Sequence, residues 1–287
     1  MIRSCLKWAG GKAGIIDTLR QHLPAGKRLV EPFTGSATVF MNTDYDAYLL
    51  GDINPDLINM FNTIKRNPSR FISYAASLFR DENDPTSYYQ LREAFNKSGN
   101  QFYRAVLFLY LNRHGYNGMC RYNQRGGFNV PYGKYKAPYF PAAEIRAFAE
   151  KADKGLFLCL DFEECIEMAN DGDVIYCDPP YVPVSKTADF TNYHTAGFNT
   201  SDQYRLMYAL RKATRRGCHV VASNSDTAES LKIYGDFKIT HIEAPRAVSC
   251  KAEGRQPARE IIATMNASTM QPIQRNEDVN AGWLQKL

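Results

Sequence analysis

The chain has 287 residues, of which 44% are hydrophobic and 23% charged, with a formal net charge of +5. That length suits one medium α/β domain with an insertion better than two independent domains, and the apolar share permits a substantial core. No stretch approaches the apolar length of a membrane span, and the start, Met1-Ile-Arg-Ser-Cys5, does not read as a signal peptide.

Seven cysteines include no C-x-x-C pair, and five histidines are scattered without metal-ligand spacing, so no metal site is expected. Cys159, Cys177 and Cys218 lie in apolar runs and read as reduced core residues of a cytosolic protein. The mild positive charge is compatible with a nucleic-acid partner, but where the cations fall along the chain matters more than their sum.

In chain order, Leu6-Lys-Trp-Ala-Gly-Gly-Lys12 comes first. Paired glycines between an aromatic residue and a lysine allow close backbone approach to a ligand with a cation beside it, though the spacing is not that of a phosphate-binding P-loop. A helix is expected from Ala13 to His22, then a short strand over Arg28-Leu-Val-Glu-Pro-Phe33, a turn at Thr34-Gly-Ser-Ala37 and a helix from Thr38. A strand, a glycine turn and a helix start make the first βα unit of a nucleotide-binding sheet. The next strand, Tyr48 to Asn54, ends in Asp52, the place where such sheets accept hydrogen bonds from ribose hydroxyls.

From Leu57 to about Pro141 the βα alternation stops. Helices are expected at Leu57 to Ile64, Tyr88 to Asn96 and Phe102 to Asn112, with a polar loop over Asp81 to Pro85. The run from Arg113 to Lys136 then interleaves arginines and lysines with tyrosines and Phe128 and contains no acid. Gly126-Gly127 between two short strand-like runs predicts a β-hairpin. Such a surface can neutralise phosphates while its tips reach base edges, although a solvated basic hairpin has the same composition.

Ala142 to Ala152 reads as a helix, and Leu156 to Phe162 as the third strand. Asp173-Val-Ile-Tyr-Cys-Asp-Pro-Pro-Tyr181 is the stretch that organises the rest. Val174 to Cys177 has the pattern of a buried strand, which Pro179 and Pro180 end abruptly. A carboxylate (Asp178), a carbonyl (Pro179) and an aromatic face (Tyr181) then stand together at a strand's carboxyl end, and they suit a planar group bearing an amino donor. Val182 to Phe198 reads as a flap or long loop, Ser201 to Arg216 as an amphipathic helix capped by Ser201 or Thr200, and His219 to Asn224 as a buried strand. Lys238 to Glu243 and Glu260 to Met265 form a closing antiparallel pair around a basic segment, Arg246 to Arg259, and the tail from Asn266 lacks a packing pattern.

The D-P-P-Y motif resembles that of amino-methyltransferases. The ordered set K-W-A-G-G-K, E-P-F-T-G-S-A, D-I-N and D-P-P-Y is similar to the Dam-type DNA adenine methyltransferases, the D12 class, from about Leu6 to Met265. That resemblance implies a Rossmann-like core, a mostly parallel seven-stranded sheet with helices on both faces. By it, residues 1–56 and 142–266 form the catalytic domain, 57–141 a target-recognition insert and 267–287 a loosely ordered tail.

The resemblance also implies S-adenosylmethionine as methyl donor, held by Trp8, Lys12, Phe33, Gly35, Asp52, Asp161, Phe162 and Asp178, with S-adenosylhomocysteine as product and no metal. Asp178, Pro179 and Tyr181 would act on N6 of an adenine flipped out of duplex DNA within GATC. Lys7, Arg92, Arg113, Tyr116, Asn117, Met119, Arg121, Asn123, Pro131, Lys134 and Lys136 would contact that DNA. A monomer in the cytoplasm of a bacterial or phage-infected cell, associated with the nucleoid, is expected. Ala37, His114 and Met119 depart from residues usual in the family. Another methyl acceptor, or a DNA-binding protein without catalysis, stays open at this point.

Overall fold

The computed structural model describes residues 1–183, 198–245 and 258–269. The interior of the expected flap, most of the Arg246 to Arg259 segment and most of the tail therefore lie outside the described residues.

Seven strands make one sheet: β1 (Arg28–Glu31), β2 (Ala47–Asp52), β3 (Gly155–Cys159), β4 (Val174–Cys177), β5 (His219–Ser225), β6 (Lys238–Ala244) and β7 (Ala258–Met265). Their order is β3-β2-β1-β4-β5-β7-β6. The pairs from β3 to β5 are parallel, and β7 pairs antiparallel with both β5 and β6. The mostly parallel α/β sheet expected from the sequence is thus observed, closed by the expected antiparallel pair.

The two-residue side-chain period divides the strand residues between two cores. Leu29, Tyr48, Leu50, Val174 and Tyr176 face one cluster. Val30, Leu49, Ile175 and Cys177 face the other. The first cluster is covered by α1 (Ile16–His22), α2 (Thr38–Asn42), α3 (Pro55–Arg66), α4 (Pro68–Asp81), α5 (Pro85–Lys97), α6 (Gln101–His114) and α7 (Ala142–Ala152). The second is covered by α8 (Phe162–Glu167), α9 (Thr200–Arg215) and α10 (Ala228–Ile233). Because β1 lies between β2 and β4, the chain leaves its carboxyl end in opposite directions, which opens a crevice at the ends of β1 and β4.

Several boundaries differ from the sequence expectation. The segment after Gly11 is a 3-10 turn (Lys12–Gly14) followed by α1, so the first helix begins at Ile16. Residues 68–81, not assigned from sequence, are helical because Asn67 caps the amide of Arg70 and Pro68 supplies a preset first turn. The expected third strand ends at Cys159, since Asp161 caps α8 and Phe162 is already helical. The cap of α9 is Asn199, which accepts from Ser201 and Asp202 amides, and not Ser201 or Thr200. Cys177 and Cys218 are buried as expected, but Cys159 is exposed because β3 is an edge strand with an open face. The expected hairpin is present only as two isolated antiparallel bridges, Gly115 with Tyr132 and Tyr122 with Phe128. Its tip spends backbone donors on the Asn123 side chain, which accepts from the Arg125 and Gly127 amides.

The helices between β2 and β3 are locked to the sheet side by Asp56. Its Oδ1 pairs with Arg104 at 2.7 Å, and its Oδ2 accepts from the Tyr122 hydroxyl at 2.8 Å, joining α3, α6 and the basic loop. Asp56 is 6% exposed, so removing it leaves the mostly buried Arg104 guanidinium without its counter-charge, held only by the Phe95 and Ser98 carbonyls. Asp56→Ala is expected to lower unfolding free energy by about 3 kcal/mol. A denaturant titration giving wild-type stability would contradict that linkage.

Candidate active site

Asp178 follows the last residue of β4, and Pro179 and Pro180 turn the chain out of the sheet. The turn is pinned from the second core: Gln203 of α9 donates to the Pro180 carbonyl at 2.8 Å. Asn224 of β5 accepts from the Val182 amide at 3.1 Å, and Ser225 donates to the Val182 carbonyl.

Lys12 is buried and reaches across from the first loop. Its Nζ lies 2.6 Å from Asp178 Oδ1, donates to the Gly10 carbonyl at 2.8 Å and sits 4.9 Å from the Tyr181 ring centroid. Burial raises the Asp178 pKa, and the Lys12 ammonium opposes that rise. The Tyr181 hydroxyl donates to Glu260 of β7 at 2.8 Å. Asp178 and Tyr181 share one motif and Lys12 ends another, 166 residues earlier in the chain than Asp178; the fold brings all three into one cluster and adds Glu260.

Glu31, at the end of β1, is a second addition. It is 2% exposed, and its Oε1 has no hydrogen-bond partner among the described residues. Burial, and then the Asp178 charge, push its pKa up to about 8, so the side chain is largely protonated at neutral pH.

Beside this cluster the β1–α2 turn supplies a backbone cradle. Gly35 has φ +49°, and a Cβ there would meet Trp8 Nε1 at 2.9 Å, so the turn needs glycine. Ala37 also adopts the left-handed region, at φ 57°. Asp52 ends β2 with each carboxylate oxygen engaged: Oδ2 accepts from the Gly35 amide at 3.0 Å and Oδ1 from the Asn54 amide at 2.9 Å. Those bonds fix the carboxylate at the crevice. Phe33 stacks on Phe162 with centroids 5.5 Å apart, and Phe198 meets both rings edge-on. Asp161 caps α8 and pairs with Arg205 at 3.3 Å, so its carboxylate holds the helix start that carries Phe162.

The basic stretch lies next to the first loop. Buried Asn112 accepts from the Lys7 amide at 2.9 Å and donates to the Lys7 and Gly118 carbonyls. Gly118 has φ +66°, and a Cβ there would lie 2.2 Å from Lys7 Cβ, so the two segments can meet only at glycine. Lys7 Nζ sits 3.9 Å over the Tyr135 ring. Tyr116, Asn117, Arg121, Asn123, Pro131, Lys134 and Lys136 are exposed, and Met119 is half-buried. Asn117 and Lys134 hold positive φ, which places both at turns. Arg121 is steadied by Asn129, whose side-chain oxygen accepts from Nε at 2.8 Å.

Two arginines of this set are committed to backbone carbonyls. Arg113 is buried and donates from Nε and Nη2 to the Tyr139 carbonyl, so its guanidinium supports the loop from within. Arg92 is half-buried, donates to the Val130 carbonyl at 2.9 Å and stacks near Tyr89. An open cavity of about 530 Å³ is lined by Tyr89, Tyr132, Lys134, Tyr135 and Lys136, away from Asp178. Among the described residues no three His, Cys, Asp or Glu side chains are arranged to hold a metal, and no helix is long and apolar enough to cross a membrane.

The comparisons with known proteins converge with this geometry. The sequence model of the D12 class N6 adenine-specific DNA methyltransferase family matches residues 8–248. The retron Ec67 DNA adenine methylase of Escherichia coli is 50% identical over 264 residues, covering 91% of each chain. The DNA adenine methylase of Escherichia coli strain K12 is 45% identical over 274 residues, covering 95% of this chain and 99% of that one. The DNA adenine methylase of Serratia marcescens is 48% identical over 263 residues, 91% of this chain and 97% of its own. A strand-end carboxylate beside an aromatic ring, on a mostly parallel sheet, is the setting such chemistry needs, and the chain belongs to the D12 class N6 adenine-specific DNA methyltransferases.

Proposed function

We propose that the enzyme transfers a methyl group from S-adenosylmethionine to N6 of an adenine flipped out of duplex DNA, within GATC, and works as a cytoplasmic monomer. The observation that carries the reading is the convergence of Asp178, Lys12 and Tyr181 at the carboxyl ends of β1 and β4. The crevice residues fit the donor. Asp52 offers a fixed carboxylate to a ribose diol, and the Gly35 turn allows close backbone approach. Phe33 and Phe162 offer apolar faces to the purine. When bound, S-adenosylmethionine supplies an electrophilic methyl group on a sulfonium.

The protein's task is to make a poor nucleophile react. The adenine amine is planar because its lone pair is delocalised into the ring. Hydrogen bonds from N6–H to the Asp178 carboxylate and the Pro179 carbonyl favour a tetrahedral nitrogen and stabilise the positive charge that develops on it. Lys12 occupies Asp178 Oδ1, which leaves Oδ2 as the oxygen assigned to the amine. The base cannot react inside the stack, so Tyr181 replaces its stacking partners once it is flipped. Tyr116 and Asn117, exposed in the turn that follows α6, are suited to fill the gap left in the duplex.

For sequence choice, Arg121 is assigned to a guanine, since its fork matches O6 and N7 together. Lys7 is assigned to the guanine on the other side, and Met119 and Pro131 to a thymine methyl. Lys134 and Lys136 meet phosphates, and Asn123 and Arg92 flank them, whereas the buried Arg113 acts on the loop alone.

Asp178→Ala is expected to reduce turnover to below roughly a hundredth of wild type while cofactor and duplex affinities stay close to normal. Retention of wild-type turnover at saturating substrates would remove the carboxylate from the mechanism. Asp52→Ala should weaken S-adenosylmethionine binding by about 1.5–3 kcal/mol, through loss of a charged acceptor. Calorimetry showing unchanged affinity in the folded variant would take Asp52 out of the pocket. Mapping methyladenine in a methylation-free genome should return GATC for the wild type. Arg121→Ala should relax selection at one base pair, a loss of about 1–3 kcal/mol of discrimination. Lys136→Ala should weaken all DNA alike and flatten the salt dependence. A different wild-type motif, or unchanged site selection by Arg121→Ala, would overturn the assignment.

A further inference from the structure

We infer that Glu260 is a positioning residue for methyl transfer: it accepts the Tyr181 hydroxyl and so keeps that hydroxyl from donating to the Asp178 carboxylate. The inference rests on Asp178 as acceptor for the reacting amine, and it assigns a task to a residue outside the D-P-P-Y motif.

Two carboxylates compete for one phenolic proton. The Tyr181 hydroxyl donates to Glu260 Oε2 at 2.8 Å, and Asp178, which shares Lys12 with the Tyr181 ring, is the second carboxylate beside it. Burial and both neighbouring carboxylates hold the phenol well above its usual pKa, so the hydroxyl always carries a proton to place. A bond from it to Asp178 would occupy a lone pair and draw off charge that the amine needs. Asp178 then becomes a weaker acceptor at the moment positive charge develops on nitrogen.

Glu260 is built to win that competition. It sits on β7 between two strands, in register with Ser225 of β5 and Ile242 of β6, so its backbone is held on both sides. It is half-buried, and the nearby Lys12 charge counters the pKa rise that burial imposes. One ammonium therefore supports both carboxylates, pairing directly with Asp178 and acting on Glu260 through space. The Tyr181 ring is also oriented by this arrangement, tethered at its hydroxyl and covered by Lys12 on one face.

The test is steady-state methyl transfer by the full-length enzyme at saturating duplex DNA and S-adenosylmethionine. Glu260→Ala should lower kcat about tenfold, with both KM values within about twofold of wild type. Glu260→Gln keeps an acceptor oxygen and should recover most of that loss. The diagnostic variant is the double one, Tyr181→Phe with Glu260→Ala. Lacking the hydroxyl to misdirect, it should turn over about fivefold faster than Glu260→Ala alone, an ordering that a merely structural role would not produce. A wild-type kcat in Glu260→Ala, or a double variant as slow as the single, overturns the inference. Should Glu260→Ala fail to fold, Glu260→Met replaces it, being similar in length and unable to accept in the same way. A slow Met variant beside a fast Gln variant supports the assignment, and equal rates overturn it. Failure of the underlying reading is distinguishable, because it shows as an active Asp178→Ala enzyme.

Discussion

A carboxylate at the end of a buried strand is costly to keep charged, and the 2.6 Å contact between Lys12 and Asp178 is what makes this site tenable. Burial alone would favour the neutral acid, which could accept less strongly from an amine. The Lys12 ammonium opposes that effect from within the crevice, where its stem is buried and it also donates to the Gly10 carbonyl. Glu31 lies in the same field with no cation in contact and stays largely protonated at neutral pH. Of these two acids at adjacent strand ends, only Asp178 has a cation in contact among the described residues.

The same first loop connects the chemistry to the basic face. Lys12 is committed to the crevice, while Lys7, five residues earlier, is clamped to the end of α6 by Asn112 and lies over Tyr135. The basic loop and the segment that leads into Trp8 are therefore tied together through Asn112 and Gly118. In the proposed reaction this gives base recognition and cofactor contact a shared mechanical element. The Asp56 link ties Tyr122 of that loop to α3 and α6.

Local signals in the sequence reached the parts of the fold whose chemistry is local. β4 and α7 have the expected bounds, because a four-residue apolar run stopped by two prolines and an amphipathic run of eleven residues each admit one reading. The helix at 68–81 is equally marked, by an Asn-Pro start like that of α3 and akin to the Asp-Pro start of α5. Cys159 shows a limit of composition: an apolar run at a sheet edge looks the same as one at its centre. Arg113 shows another, since a cation inside a basic run can turn inward to a carbonyl. Glu260 and Tyr181 are 79 residues apart, and nothing near either residue announces their bond. Strand order creates it, by inserting β7 beside β5.

The central claim is that the crevice at β1 and β4 moves a methyl group onto adenine in DNA. The most direct measurement is radiolabelled methyl transfer from S-adenosylmethionine to unmethylated plasmid DNA by the purified protein, with the product digested to nucleosides and probed by methylation-sensitive cleavage at GATC. Label recovered in N6-methyladenine, with GATC sites altered in their cleavage, is the expected result. Label in cytosine or protein, or none in DNA under conditions where the protein binds it, would contradict the claim.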